Sequence, residues 1–122
     1  MSAFFEHFKA LRRSGDLAAL NALVPYASLV GLELEETPEG LVTVLRSRDS
    51  NVGNTQIPAV HGGVVGALLE HAAIMQVLWE CEVERFPKVV NVSLDFLRPC
   101  LAGREARARG TVVRQGKTVT NV

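Results

Sequence analysis

The stretch HGGVVGALLEHAAIMQVLWE, running from His61 to Glu80, decides how the rest of the chain is read. Two glycines follow a histidine, and apolar residues then fill nearly every place to Trp79. Such a run predicts a helix, and a helix apolar almost all round belongs in a core. Glu70, His71 and Gln76 interrupt it, so it reads as too short and too polar to span a bilayer. A core helix of this kind needs a sheet to cover it.

The flanks supply strands. LVTVL at Leu41–Leu45 reads as one strand. The turn signal Pro38-Glu39-Gly40 pairs it with a strand that Leu29 to Leu34 leads into. VVNVSLDFL at Val89–Leu97 lies between Pro87 and Pro99 and alternates in part, and EARARGTVV at Glu105–Val113 follows it. Gln115-Gly116 reads as a turn, after which Lys117 to Val122 begins another strand. Residues 46–60 are rich in polar residues, Gly and Pro, so a loop is expected there. Before all of these, Phe4, Phe5, Phe8, Leu11, Leu17, Leu20, Leu23 and Val24 recur at spacings of three and four. That pattern predicts an amphipathic helix, or two short ones broken at Ser14-Gly15, ended by Pro25. The fold class is α+β in one domain over 1–122. A helical segment at 1–24 precedes a core at 25–122, in which a curved antiparallel sheet wraps a long central helix. Three or four strands are fewer than such a helix needs.

The bulk properties narrow the function. The 122 residues are 48% hydrophobic, enough for one core. Thirteen Lys and Arg balance thirteen Asp and Glu, so no net field draws in nucleic acid or an anionic membrane. Cys81 and Cys100 form no CxxC pair, which fits reduced thiols in a cytoplasmic protein. Charges within the N-terminal apolar stretch argue against a signal peptide. His7, His61 and His71 lack ligand spacing, so neither a metal nor another cofactor is expected. Ser28, Ser47, Ser50 and Ser93 lie in no nucleophile-elbow context.

Two features carry chemistry. The first amides of a helix have no internal acceptor, and the helix dipole adds partial positive charge there. With Gly62 and Gly63 at that place, a substrate oxygen could approach the backbone and be stabilised as it gains charge. The plainer reading is a glycine turn into a helix. Glu70 is the second feature: a carboxylate inside an apolar helix, expected to be buried, and rarely buried unless paired or functional. Its plainer readings are a residue facing a solvent channel, or one paired with Arg98 or Lys88. Glu70 lies eight residues beyond Gly62, about 12 Å along a helix axis. One chain cannot bring both to one carbon, so a shared site needs Glu70 from a second subunit, across a two-fold axis. His71, one position on, faces another side of the helix and reads as structural or exposed.

Three blocks carry a family likeness: Asn54-Thr55-Gln56-Ile57-Pro58-Ala59-Val60-His61-Gly62-Gly63 with an acid nine residues after the His; Asn91 to Pro99 followed by Gly103; and Pro25 to Leu34 as the opening strand. Together, over about residues 25–120, they resemble the PaaI-like hot-dog-fold acyl-CoA thioesterases. The resemblance implies a hot-dog fold, a dimer or dimer of dimers, and hydrolysis of acyl-CoA to free acid and CoA. It implies that Gly62 polarises the thioester carbonyl through its amide, and that His61 of the same His61-Gly62-Gly63 motif belongs to the catalytic site. Glu70 would activate water or attack directly, and Gly63, Asn54 and Thr55 would line the substrate site. Arg98, Arg104 and Arg107, near strand ends, are candidates for the CoA phosphates, or else solvated surface arginines. The chain departs from the family in several ways. Glu70 stands where Asp is commoner, Thr55 and not Asn lies six before the His, and Val89-Val90 carries no hydroxyl. The family also continues for two strands beyond KTVTNV, so a piece of a longer protein is expected. Other readings remain open: a non-catalytic acyl or CoA binding module, a hot-dog dehydratase, and an inactive fragment.

Overall fold

The computed structural model describes residues 3–122. In chain order its elements are α1 (Ala3–Ser14), α2 (Leu17–Asn21), α3 (Pro25–Val30), β1 (Leu32–Thr37), β2 (Gly40–Leu45), a 3-10 turn (Asp49–Asn51), β3 (Val52–Asn54), β4 (Ala59–Val60), α4 (Gly62–Glu80), β5 (Ala106–Ala108), β6 (Arg114–Gln115) and β7 (Thr120–Asn121).

The N-terminal pattern forms two helices broken at Gly15, whose φ of 70° only glycine adopts readily. Asp16 opens α2 by accepting the Ala19 amide on its carboxylate at 3.0 Å. Pro25 does more than end this pattern: it sits in the first turn of α3, where its missing N–H costs nothing. Gly31 closes that helix at a φ of 85°. The strand expected from Leu29, and the reading of Pro25 to Leu34 as strand, are therefore corrected: β1 starts at Leu32, after a six-residue helix.

The hairpin is as expected. β1 and β2 pair antiparallel from Leu32↔Leu45 to Thr37↔Gly40, and β5 pairs with the other edge of β2 at Thr43↔Ala108 and Leu45↔Ala106. Alternation sends Leu41, Leu45 and Ala108 inward. The opposite face carries Glu33, Glu35, Arg46 and Arg107, linked with Glu105 in exposed ion pairs that stabilise little.

α4 lies across this sheet. Leu68, His71, Ala72, Met75 and Leu78 form the buried stripe, at the spacing of one helix face. Leu68 and Ala72 meet Ala27, Val30, Leu32 and Leu45, while Met75 and Leu78 meet Phe8, Leu20 and Leu41. The Arg12 guanidinium from α1 donates to the Glu80 and Cys81 carbonyls at the helix end, both at 3.3 Å.

Several expectations need correction. α4 is not covered all round, because the sheet of β1, β2 and β5 reaches only one side of it. By length and composition alone α4 is long enough and apolar enough to cross a bilayer, though here it packs on a sheet. Val89–Leu97 forms no strand and joins no ladder among the described residues. Within Glu105–Val113 only Ala106–Ala108 is paired, and the last segment makes a small hairpin of β6 and β7. The stretch read as a loop at 46–60 contains the paired β3 and β4. Both cysteines are free thiols.

Candidate active site at the head of the central helix

His61 is the N-cap of α4. Its carbonyl accepts the Val64 and Val65 amides at 2.9 and 3.2 Å, and its ring Nδ1 accepts the Gly63 amide at 2.9 Å. A neutral ring that accepts at Nδ1 carries its proton on Nε2. Of the first four helix amides, only that of Gly62 has no acceptor among the described residues. The helix dipole points its positive end at the same spot. An oxygen gaining negative charge there would meet a fixed, unshared N–H.

The approach to His61 is held on both sides. The Val60 amide donates to the Cys100 carbonyl at 2.8 Å, and the His61 amide donates to the Asn51 carbonyl at 2.8 Å. Leu101 bridges Ala59. From there the chain before Pro99 lies along the helix. A Cβ added to Gly62 would meet the Phe96 ring at 3.7 Å, and one added to Gly66 would meet Leu94 at 3.1 Å. Gly62 and Gly66, one turn apart, thus form the floor under residues 94–96. The role of Gly66 was not read from sequence, although a third glycine four residues after Gly62 was the available signal.

Glu70 is half-exposed, which corrects the expectation of a buried carboxylate. It lies two residues from Leu68, roughly 200° around the helix, so it points away from the sheet. No ion pair or hydrogen bond engages it among the described residues, so neither Arg98 nor Lys88 neutralises it. His71 is the structural histidine of the two readings left open for it: 4% exposed, its Nε2 sits 2.7 Å from Asn21 Oδ1. Burial lowers its pKa to about 4.

The remaining candidates spread out. Asn54 Oδ1 accepts the Gln56 and Ile57 amides at 2.9 and 3.3 Å, an Asx turn in which Thr55 is exposed. Asn54 therefore shapes the turn between β3 and β4. Arg98 and Arg104 are exposed, with no ion pair among the described residues. Arg107 faces the outer side of the sheet, where it holds Glu35 at 2.8 Å and Glu105 at 3.5 Å. Met75 is core beside Phe8, and Phe86 stacks edge-on against Phe4 at 6.0 Å, so neither marks a pocket.

Comparison with known proteins bears on the family and the fold. A family described as acyl-CoA thioesterase N-terminal domain matches residues 51–122. A crystal structure from Chromobacterium violaceum is 33% identical, with a TM-score of 0.67 over 92% of this chain and 76% of that one. A thioesterase-superfamily crystal structure, 23% identical, has a TM-score of 0.67 over 80% of this chain and 72% of its own, and shares the fold. No curated protein matches this chain. A long helix on an antiparallel sheet with these likenesses defines a hot-dog thioesterase fold. The chain belongs to the acyl-CoA thioesterase family, whose match takes in β3, β4, the His61-Gly62-Gly63 cap and all of α4.

Proposed function

We propose that this protein hydrolyses acyl-CoA thioesters, as a PaaI-like enzyme, at a site shared between two subunits. The observation that carries the reading is the Gly62 amide: it heads an apolar helix, it has no acceptor among the described residues, and both neighbouring groups of His61 leave it open. The thioester carbonyl oxygen would accept from that amide as the carbon becomes tetrahedral. Glu70 of the partner helix would deprotonate an attacking water, or attack the carbonyl itself and form an anhydride that water then opens. In either route the C–S bond breaks, and CoA leaves as the thiol once protonated. Glu70 suits this role because it is a carboxylate without an ion pair among the described residues, on the side of α4 away from the sheet. Two antiparallel copies of α4 about a two-fold axis would set each Glu70 against the partner's Gly62, spanning the roughly 12 Å that separates them in one chain. Arg98 and Arg104, exposed and without an ion pair among the described residues, would meet the CoA phosphates.

The test is release of CoA thiol from a panel of short, long and aryl acyl-CoAs. Glu70→Gln keeps the shape and removes the charge, so turnover should fall roughly a hundredfold or more. Glu70→Asp should retain part of the activity. Wild-type turnover by Glu70→Gln would remove the carboxylate from the mechanism.

A further inference from the structure

A residue outside the glycine motif bonds His61, the neighbour of Gly62. Asn51, at the end of the 3-10 turn, is 6% exposed. Its side-chain amide donates to the Val30 carbonyl at 2.8 Å, within the core. Its main-chain carbonyl accepts the His61 amide at 2.8 Å. The link therefore runs from the last residue of α3, through Asn51, to the residue just before the open amide. Gly53 presses on His61 beside it. A Cβ added there would stand 2.7 Å from His61 Cα and 3.0 Å from His61 Cβ, closer than backbone can tolerate without moving. A register irregularity between Val52 and Asn54 lets β3 make this approach. His61 is thus held by the hydrogen bond its amide donates to the Asn51 carbonyl and by a close backbone contact with Gly53.

We infer that Asn51, with Gly53, is a positioning residue that aims the Gly62 amide by fixing His61. The inference rests on the oxyanion role proposed above for Gly62. Neither residue needs to touch substrate. A fixed donor stabilises the transition state only while it is held at the right place, and small displacements of such groups are costly. Asn51 is suited to the task because one side chain satisfies a buried carbonyl that would otherwise be orphaned.

The informative variant is Asn51→Asp, which keeps the shape but faces the Val30 carbonyl with a second acceptor. Steady-state kinetics, thermal melts and amide spectra would be recorded together on the full chain. At neutral pH the expected result is a protein folded at assay temperature whose kcat falls about tenfold to a hundredfold, less than loss of the donor itself would cost. KM should stay within about twofold, because the lost interaction is made in the transition state. Lowering the pH should restore part of kcat relative to wild type, as the introduced carboxyl gains a proton and can donate to Val30 again. Gly53→Ala should reproduce the kcat loss without that pH response. An unchanged kcat in both variants would overturn the inference, as would a fall that only tracks the folded fraction or a change confined to KM. The amide spectrum separates this from failure of the thioesterase reading. Even if wild type hydrolyses none of the panel, Asn51→Asp should shift the Gly62 and Gly63 amide resonances while those near Leu78 stay in place. Unmoved glycine resonances would refute the positioning role directly.

Discussion

Gly62 is the first residue of α4, and its surroundings make its N–H removable by itself. Proline is accepted at the first helical position, and His61, at φ −55° and ψ 133°, already has the extended backbone that a following proline requires. A Cβ at this place meets Phe96 only at ordinary contact distance, 3.7 Å. Gly62→Pro should therefore fold while turnover drops roughly a hundredfold to a thousandfold, the usual loss for one oxyanion donor. A folded Gly62→Pro protein with wild-type turnover would show that the amide is idle. His71 makes a separate prediction, about stability. Its ring is buried neutral, with Nε2 donating to Asn21 Oδ1, since the Asn21 amide already donates to the Leu32 carbonyl at 2.8 Å. An unfolded histidine titrates near pH 6.5, whereas burial lowers His71 to about 4. Between those two values the unfolded chain binds a proton that the folded chain does not. Stability is complete above the unfolded pKa and falls with pH through this window, by about 1.4 kcal/mol per pH unit from this one group. Urea unfolding at a series of pH values, on wild type and His71→Gln, checks it. Parallel curves for the two proteins would assign the acid sensitivity elsewhere.

At the scale of elements, what was legible in sequence followed from repeated signals. α4 announces itself through nearly twenty residues of apolar pattern after two glycines, and β1–β2 through LVTVL behind a Pro-Glu-Gly turn. The break between α1 and α2 is marked by Ser14-Gly15. α3 left no such mark, because six residues complete fewer than two turns and show no period. Its start at Pro25 and its end at Gly31 are both punctuation that also fits an extended segment. Val89–Leu97 fails the other way. Its composition is that of a strand, but a ladder needs a neighbour, and Val90 and Leu97 stand 84% and 88% exposed. The candidate site divides similarly. Gly62 and Glu70 are conspicuous because amide-baring glycines and an acid are out of place in an apolar helix. Asn51 is silent, because its partners are two main-chain groups, at Val30 and His61, and a carbonyl has no signature in sequence.

For the whole molecule, the open side of α4 is the governing fact. The sheet covers one stripe, and Leu69 on the other side is 40% exposed next to Glu70. Together with Val90, Phe96 and Leu97 of the segment that passes the head of the helix, exposed at 84%, 60% and 88%, this apolar surface calls for a cover. A second copy would supply it while setting Glu70 against the partner's Gly62, as in the proposed two-subunit site. That arrangement makes a prediction a one-chain site cannot share. Glu70→Gln disables every site that draws its acid from the altered chain, and Gly62→Pro disables every site that draws its amide from the altered chain. A mixed dimer of the two holds one site with both defects and one site with neither. Unfolding the two inactive proteins together and refolding them should give mixed dimers for half of the population, so about a quarter of wild-type activity should return. Refolding each variant alone controls for recovery, and two different affinity tags isolate the mixed species, which should show about half the wild-type rate per dimer. If the purified mixed dimer stays as inactive as its parents, the amide and the acid do not come from different chains. Glu70 would then have to act on something other than the carbonyl held at Gly62.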